Sequence, residues 1–295
     1  MMLVTVTDVN RKSAQYAYQL AGIILRSYSQ KIRLAHFRDE SLPGASNSCS
    51  LFREEHKWLE TYSGTGNMYS GNYRVTQRTS GSLIEIEVED IGSMRICLKC
   101  NAMQTGTLLS AQADEIRDEF ELGPGLMLLL AHNDCYAMHA SAIDISEGVL
   151  VFCGESGQGK STLAKELALV GGVKRLADDI VIWRLIEGVP HIYSFPQLKL
   201  DANDQAVFDA PKPIKGFYRL NTENDESGVS ITEMNSAHQL IEAMRHTVVI
   251  RLYTESMQKG LIKALPLTLR SAPMQRLSYP KQMGSIDQVR ELLEL

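Results

Sequence analysis

The strongest constraint on the fold of this chain is a glycine-rich run at residues 154–162, with the sequence GESGQGKST. It matches the phosphate-loop pattern G-x-x-x-x-G-K-[ST] without a mismatch. A short, apolar and β-prone run precedes it at 148–153, and an amphipathic helical pattern follows it at 162–170. A strand, a glycine turn and a helix N-terminus in this order direct backbone N–H groups and the positive end of a helix dipole at one place. The run therefore predicts a site for nucleotide phosphates in an α/β domain.

The residues of this loop have distinct predicted roles. Lys160 is expected to reach the β- and γ-phosphates, and the hydroxyl of Ser161 is expected to bind Mg²⁺. A dinucleotide-binding fingerprint is excluded because Thr162 stands where its third glycine belongs. The residues predicted to bind the nucleotide are Glu155, Ser156, Gly157, Gln158, Gly159, Lys160, Ser161 and Thr162.

Composition narrows the classes of partner. The chain has 295 residues and a formal net charge of −5, which argues against nucleic acid as a main ligand. No apolar run approaches the roughly 18 residues of a membrane span, and the N-terminus has no apolar signal core. Five cysteines, an odd number, fit a reducing cytoplasm better than a disulfide framework. We therefore expect a cytoplasmic protein with no nucleic-acid or membrane partner.

The chain is predicted to have two domains, a smaller β-rich α+β domain at 1–125 and a P-loop α/β domain at 126–295. In the first domain we expect strands at 72–77, 82–89 and 93–99, loops at 43–48 and 64–71, and a helix at 111–120. Residues 16–26 fit either a helix or a strand.

The pattern after residue 126 alternates between strands and helices. We expect helices at 126–132, 162–170, 236–245 (capped by Ser236, with Leu240, Ile241 and Met244 on its apolar face) and 286–295. Strands are expected at 138–145, 148–153, 180–185, 216–220 and 229–232, with a hairpin of 189–194 and 197–200 around Pro196.

Two adjacent carboxylates, Asp178 and Asp179, come directly before an apolar strand at 180–183. Such a position places them at a strand edge near the phosphate loop. One carboxylate could hold Mg²⁺, while the other accepts the hydroxyl proton of an incoming nucleophile. The alternative is a charged turn that only caps the strand.

A histidine, His139, begins the strand that precedes the loop strand in sequence. A lone histidine is usually structural, but this position lies beside the loop, so we expect His139 to support Asp178. The sequence lacks a downstream Asn-Lys-x-Asp motif, which disfavours a GTPase.

His139-Ala140-Ser141-Ala142, the loop at 154–162 and the stretch Leu176-Ala177-Asp178-Asp179-Ile180-Val181 together resemble the catalytic domain of HPr kinase/phosphorylase. These are P-loop serine kinases, and the resemblance covers about residues 130–200. It implies an HPr-kinase-like fold for the second domain, with ATP and Mg²⁺ as cofactors. It also implies an active site of His139, Lys160, Ser161, Asp178 and Asp179, in which Asp178 is the base and Asp179 helps to bind the metal.

The chain departs from that family after the aspartates. Where the family has an E-[IV]-R-G-x-G stretch, this chain has Tyr-Ser-Phe-Pro-Gln-Leu-Lys-Leu at 193–200. This run, the segment at 213–220 and Arg245-His246 are similar to the HPr-kinase-like enzymes of lasso-peptide gene clusters, which phosphorylate the C-terminal serine of a precursor peptide. Lys199 and Arg245 are the basic residues expected to contact the substrate.

The sequence therefore predicts an ATP- and Mg²⁺-dependent serine kinase that acts on a peptide or small protein. A lasso-peptide precursor is the first substrate considered. The alternatives are a bifunctional HPr(Ser) kinase/phosphorylase and a regulator that binds ATP without transferring phosphate. The oligomeric state is open, a homo-oligomer included.

Overall fold

A computed structural model describes residues 2–8, 16–20, 23–27, 50–68, 71–106, 119–170, 172–197, 206, 208–221, 228–280 and 285–295. Contacts between Cα atoms divide the chain into two compact units. The N-terminal unit is Met1–Asn133 with Arg251–Thr254, and the C-terminal unit is Asp134–Ile250 with Glu255–Leu295. The chain is of the mixed α/β class, and the functional domain boundary at residue 125 stays a prediction.

The N-terminal unit is built on one eight-stranded sheet in the order β2-β3-β1-β8-β7-β6-β5-β4. Its pairs are antiparallel except for β1, which runs parallel to both β3 and β8. The strands are β1 (Met2–Asp8), β2 (Tyr16–Leu20), β3 (Ile23–Ser27), β4 (Leu59–Met68), β5 (Gly71–Ser80), β6 (Leu83–Val88), β7 (Gly92–Cys97) and β8 (Ala102–Thr105).

Helix α1 (Leu126–His132) buries six consecutive apolar side chains in this unit, those of residues 126–131. The residue before the helix, Gly125, lies so close to the sheet that a side chain there would meet its methionines. A Cβ atom on Gly125 would lie 2.5 Å from Sδ of Met94 on β7 and 3.0 Å from Sδ of Met103 on β8. The prediction of a helix at 126–132 is confirmed.

Strand pairing settles one open prediction for this unit and corrects another. The ambiguous stretch at 16–26 contains two strands, β2 and β3. The loop predicted to start at residue 64 is strand up to Met68, because Gly64 and Gly66 pair with Val75 and Tyr73 of β5. Residues 43–48 and 111–118 lie outside the described residues.

The C-terminal unit holds the predicted strand–loop–helix run. Its strands are β9 (Tyr136–Ile145), β10 (Gly148–Cys153), β11 (Lys174–Ala177), β12 (Ile180–Ile186), β13 (Val189–Tyr193), β14 (Lys212–Asn221), β15 (Ser230–Glu233) and β16 (Met274–Ser278). Its helices are α2 (Lys160–Leu169), α3 (Ser236–Arg245), α4 (Glu255–Ser271) and α5 (Ser285–Leu292).

The sheet of this unit has the order β10-β9-β12-β13-β14-β16-β15, and β10 also pairs with β14. Strands β9, β12, β13, β14 and β10 therefore close a ring. Strand β9 pairs with three strands. Its residues 136–139 pair with β12 and its residues 142–144 with β11, and its residues 140–145 pair with β10. The two parts of the sheet meet at the His139–Ala140 step.

Helix α2 packs on β9 and β10 through Leu163, Ala164 and Leu167, which are almost fully buried beside Ile143 and Phe152. This packing fixes where the helix begins, at Lys160. The amphipathic pattern at 162–170 predicted one further residue, but the helix ends at Leu169 and the side chain of Val170 is 46% exposed.

Several predicted elements of this unit need correction. Helix α3 is capped by Asn235, whose side chain accepts from the N–H of His238, and not by Ser236. Ile241, expected on the apolar face of that helix, is 52% exposed. Strand β13 pairs with β12 and ends at Tyr193. Gln197 is not in a strand, and residues 198–200 of the proposed hairpin lie outside the described residues.

Among the described residues, β11, α4 and β16 of this unit were not predicted from the sequence, and neither were β1, β4 and β8 of the N-terminal unit. In the part of the chain that the structure describes, no helix is long and apolar enough to cross a membrane.

Candidate functional site

The glycine-rich run forms the connection between β10, which ends at Cys153, and α2, which begins at Lys160. Gly157 and Gly159 have φ angles of 82° and 87°, a left-handed conformation that residues with a Cβ atom rarely adopt. Gly154 makes room for a neighbour, since a Cβ atom there would lie 2.6 Å from Oε1 of Gln158 and would displace that side chain. The glycines of the motif therefore allow a tight turn with its backbone exposed to a ligand.

Lys160 is the buried cation of the loop, with 7% of its surface exposed. Its Nζ donates hydrogen bonds to the carbonyl oxygens of Gly154 at 2.7 Å and Glu155 at 3.1 Å. Of the other predicted nucleotide-binding residues, Glu155, Ser156, Gly157, Ser161 and Thr162 are exposed, and Gln158 and Gly159 are half-buried. The ammonium group is therefore bonded to the backbone of the loop, while most of the other loop residues are exposed to solvent.

The aspartate pair occupies the turn between β11 and β12, and both residues are buried. Oδ1 of Asp178 accepts a hydrogen bond from the hydroxyl of Ser141 at 3.3 Å, and its Oδ2 lies 3.4 Å from Nη1 of Arg175. Asp178 therefore directly follows β11, and the aspartate pair precedes β12. From the sequence, only the strand after the pair was predicted.

His139 reaches the neighbouring carboxylate. Its Nδ1 lies 3.3 Å from Oδ1 of Asp179. This contact is with Asp179 and not with Asp178, the partner predicted from the sequence. The reason is register, since His139 stands opposite Ile180 in the β9–β12 ladder and so comes next to Asp179.

Ala140 connects the two halves of the site. It pairs with Cys153, the last residue before the loop, in the β9–β10 ladder. Its N–H group donates to the carbonyl oxygen of Asp179 at 3.1 Å. Because neighbouring strands lie only about 4.8 Å apart, the aspartate turn and the start of the glycine-rich loop flank the same residue.

A network that the sequence analysis missed lies on the other side of the loop. Arg219, on β14, donates to Oε1 of Gln158 at 2.6 Å and to Oε2 of Glu242 on α3 at 2.9 Å. It also donates to the carbonyl oxygen of Leu220. Oε1 of Gln158 accepts in addition the N–H of Glu155 at 2.7 Å. The sequence signal for Arg219 was a cation inside the predicted strand at 216–220, whose other residues are uncharged.

Arg245, a predicted substrate residue, lies at the mouth of the loop. Its Nη1 is 3.0 Å from Oε1 of Glu242 and 3.8 Å from Oε1 of Glu155, and its side chain is 53% exposed. The other predicted substrate residue, Lys199, lies outside the described residues. Of these two predicted substrate residues, the structure therefore places only Arg245.

Two buried groups beside the loop are held in their neutral forms. Burial lowers the pKa of His246, and the nearby carboxylate of Glu242 opposes this effect. Burial raises the pKa of the Cys153 thiol to about 12, so this cysteine is not a thiolate nucleophile near neutral pH. The carbonyl oxygen of His246 accepts the N–H of His139 at 2.8 Å, which ties the end of α3 to β9.

The side chains around the loop offer oxygen donors for a metal ion. No group of three or more His, Cys, Asp and Glu side chains is arranged as a metal site among the described residues. Magnesium bound together with nucleotide phosphates needs only one or two protein oxygens, and it keeps several waters. The exposed hydroxyl of Ser161 and the carboxylate of Asp179 supply oxygens of that kind. The residues therefore fit Mg²⁺ bound with a nucleotide, and not a site made by protein alone.

No protein-family model matches the chain, and no sequence relative was found among curated proteins. Among solved structures, the chain is similar to the Hpr(Ser) kinase/phosphatase from Coxiella burnetii. The two share 13% sequence identity with a TM-score of 0.31, over 54% of this chain and 93% of the other. A similarity of this size carries no argument about activity, so the function has to be inferred from the geometry of the site itself.

Proposed function

We propose that this protein is an ATP- and Mg²⁺-dependent kinase with an HPr-kinase-like catalytic unit, and that it phosphorylates a serine of a peptide or small protein. The observation that carries the proposal is the position of Ala140, which pairs with Cys153 before the phosphate loop and bonds to Asp179. A nucleotide-binding loop by itself is compatible with many reactions. The buried carboxylates next to this loop supply a base that could deprotonate the hydroxyl group that accepts the phosphoryl group.

The proposed reaction assigns each group a step. The backbone N–H groups of the loop and Lys160 hold the β- and γ-phosphates, and Asp178 accepts the proton of the serine hydroxyl. The serine oxygen then forms a bond to the γ-phosphorus as the bond to the β-phosphate oxygen breaks, which releases ADP. Ser141 and Arg175 hold the two carboxylate oxygens of Asp178 and so orient the base.

Mg²⁺ would be held by Ser161 and Asp179 together with the phosphates, and it would neutralise the charge that develops on them. His139 orients Asp179 through their 3.3 Å contact. In this proposal Asp179 binds the metal ion, and its neighbour Asp178 accepts the proton.

For the substrate we propose a peptide with a C-terminal serine, as in lasso-peptide precursors. The α-carboxylate of such a residue lies a few ångströms from its hydroxyl, so the site needs a cation near the γ-phosphate. Arg245 is exposed beside the loop and is only 3.8 Å from Glu155, which supports that role.

The test is incubation of the protein with γ-labelled ATP, Mg²⁺ and synthetic peptides that end in serine. Peptides with the same sequence that end in alanine, or with a C-terminal amide, are the matched controls. We expect label only in the peptide with both the hydroxyl and the carboxylate. Label in the amide would contradict the carboxylate contact. Label in HPr protein instead would favour a bifunctional HPr kinase, and nucleotide binding without any transfer would favour a regulator.

A further inference from the structure

One side chain outside the predicted set holds the aspartate turn. The backbone N–H groups of Asp178, Asp179 and Ile180 all point to Oε1 of Gln197, at 3.0, 3.1 and 3.1 Å. Consecutive N–H groups that converge in this way form a concavity that typically binds an anion. Here the oxygen of a side-chain amide fills it, so the turn is held without a further negative charge beside the two carboxylates.

Gln197 is itself fixed on all sides. It is only 1% exposed, and its Nε2 donates to the carbonyl oxygens of Ile180 and Phe195, both at 2.9 Å. Both ends of the amide are thus hydrogen-bonded, as a buried polar group requires.

The segment that carries Gln197 is buried although it is neither helix nor strand. Ser194 and Phe195 are 8% and 3% exposed. The hydroxyl of Ser194 donates to the carbonyl oxygen of Ala206 at 3.2 Å and accepts the N–H of Phe208 at 3.4 Å. A loop normally runs over the surface, where its polar groups meet water. This one is held inside, and its amide is directed at the aspartate turn.

We propose that Gln197 is a positioning residue for the phosphotransfer reaction. It touches the backbone of Asp178 and Asp179, and it thereby fixes where their carboxylates stand relative to the phosphate loop. A displacement of a reacting group by about 1 Å can cost on the order of 10²-fold in rate. The inference rests on the proposed kinase function and adds a residue to it.

The test compares rate and affinity in Gln197→Met, which keeps the length of the side chain and removes its polar atoms. We expect kcat for transfer to a serine-ending peptide to fall about 10²-fold. The Kd for ATP should stay within about twofold of the wild-type value, because no loop contact is changed. A general loss of structure would weaken ATP binding as well.

Gln239→Met is the matched control. The amide of Gln239 also bridges backbone groups, donating to the carbonyl oxygen of Met234 at 2.7 Å and accepting the N–H of Met274 at 3.0 Å, but it does not bond to the aspartate turn. We expect this variant to lower Tm while leaving kcat within about twofold of wild type. An equal loss of kcat in the control would overturn the inference.

Gln197→Asn covers the case in which Gln197→Met does not fold, because it keeps an amide and withdraws the oxygen by one methylene. We expect at least a tenfold loss of kcat with unchanged ATP affinity. A kcat within twofold of wild type, a parallel loss of ATP affinity, or failure of both variants to fold would reject a positioning role. A wild-type protein that transfers no phosphate would instead contradict the kinase function itself.

Discussion

At the scale of single residues, the two aspartates differ in what surrounds them, although they are neighbours in sequence. Asp178 is held by a hydroxyl and a guanidinium, and Asp179 contacts the imidazole of His139. The sequence pair Asp-Asp predicted two carboxylates at one strand edge, with His139 expected beside Asp178, whereas its 3.3 Å contact is with Asp179. That choice follows from the register of β9 against β12.

Asp178→Asn tests the proposed base. The amide cannot accept the serine proton, so we expect kcat to fall about 10²- to 10⁴-fold with little change in ATP affinity. Peptide phosphorylation and ATP titration measure the two quantities. Asp144→Asn is the control, because Asp144 pairs with Lys212 at 2.8 Å and stands opposite Val149, near the other end of β10 from the loop. Near-normal transfer by Asp178→Asn would show that another group is the base.

The lowered pKa of His246 leads to a prediction of how the stability of the protein depends on pH. Burial lowers its pKa below the ordinary value of 6.5, so the unfolded chain binds the proton more readily than the folded protein does. Stability is therefore lost as the pH falls below about 6.5 towards the lowered pKa. We expect Tm to decrease between pH 7.5 and pH 5.5, and to decrease less in His246→Gln.

The control for this prediction is His238→Gln, which removes an exposed imidazole from the same helix, α3. Thermal unfolding followed by circular dichroism at the two pH values measures the effect. If wild type and His246→Gln lost the same number of degrees, the buried imidazole would not be the source of the pH dependence.

At the scale of elements, α4 shows how packing can reverse a local preference. Gly260 lies in the interior of this helix, where alanine is normally favoured by about 1 kcal/mol. A Cβ atom at this position would lie 2.7 Å from the hydroxyl of Tyr136, which itself donates to Asp134 at 3.2 Å. Tyr136 is 1% exposed and packs against Trp183, so its ring has little room to move.

We therefore expect Gly260→Ala to lower the free energy of unfolding by about 1–2 kcal/mol, the range typical of overpacking. In a Tyr136→Phe background the 2.7 Å contact is removed and only the 3.1 Å approach to Oδ1 of Asp134 remains, so the same substitution should cost less. Urea denaturation of the four proteins gives the coupling energy. Equal effects of Gly260→Ala in both backgrounds would contradict the packing explanation.

Elements whose signals are local were predicted well. The strand at 148–153 and the helix at 236–245 have the predicted bounds, because turn residues, caps and periodicity act within a few positions. Strand β4 was missed over 64–68 because its glycines disfavour a strand, and pairing with β5 overrides that preference. Helix α4 was missed in a stretch that contains Pro266, and β11 has only four residues.

At the scale of the whole molecule, two sheets organise the described part of the chain, one in each compact unit. In the C-terminal unit the sheet closes a ring because β10 pairs with both β9 and β14. The candidate site lies beside β9, which has β10 on one edge and β11 and β12 on the other. There, β10 is followed by the glycine-rich loop and β11 by the carboxylate pair.

The sequence by itself determined the glycine-rich loop, with its lysine and serine, between a strand and a helix, and the α/β class of the unit that contains it. These depend on the types and spacing of nine consecutive residues and on the patterns beside them. Only the tertiary structure decided that His139 contacts Asp179, that Gln197 holds the aspartate turn, and that Arg219 bonds to the loop. Gln197 is 19 residues from Asp178, and Arg219 is 61 residues from Gln158. Contacts over such separations are set by strand register and by the burial of hydrogen-bonding groups, which no local pattern records.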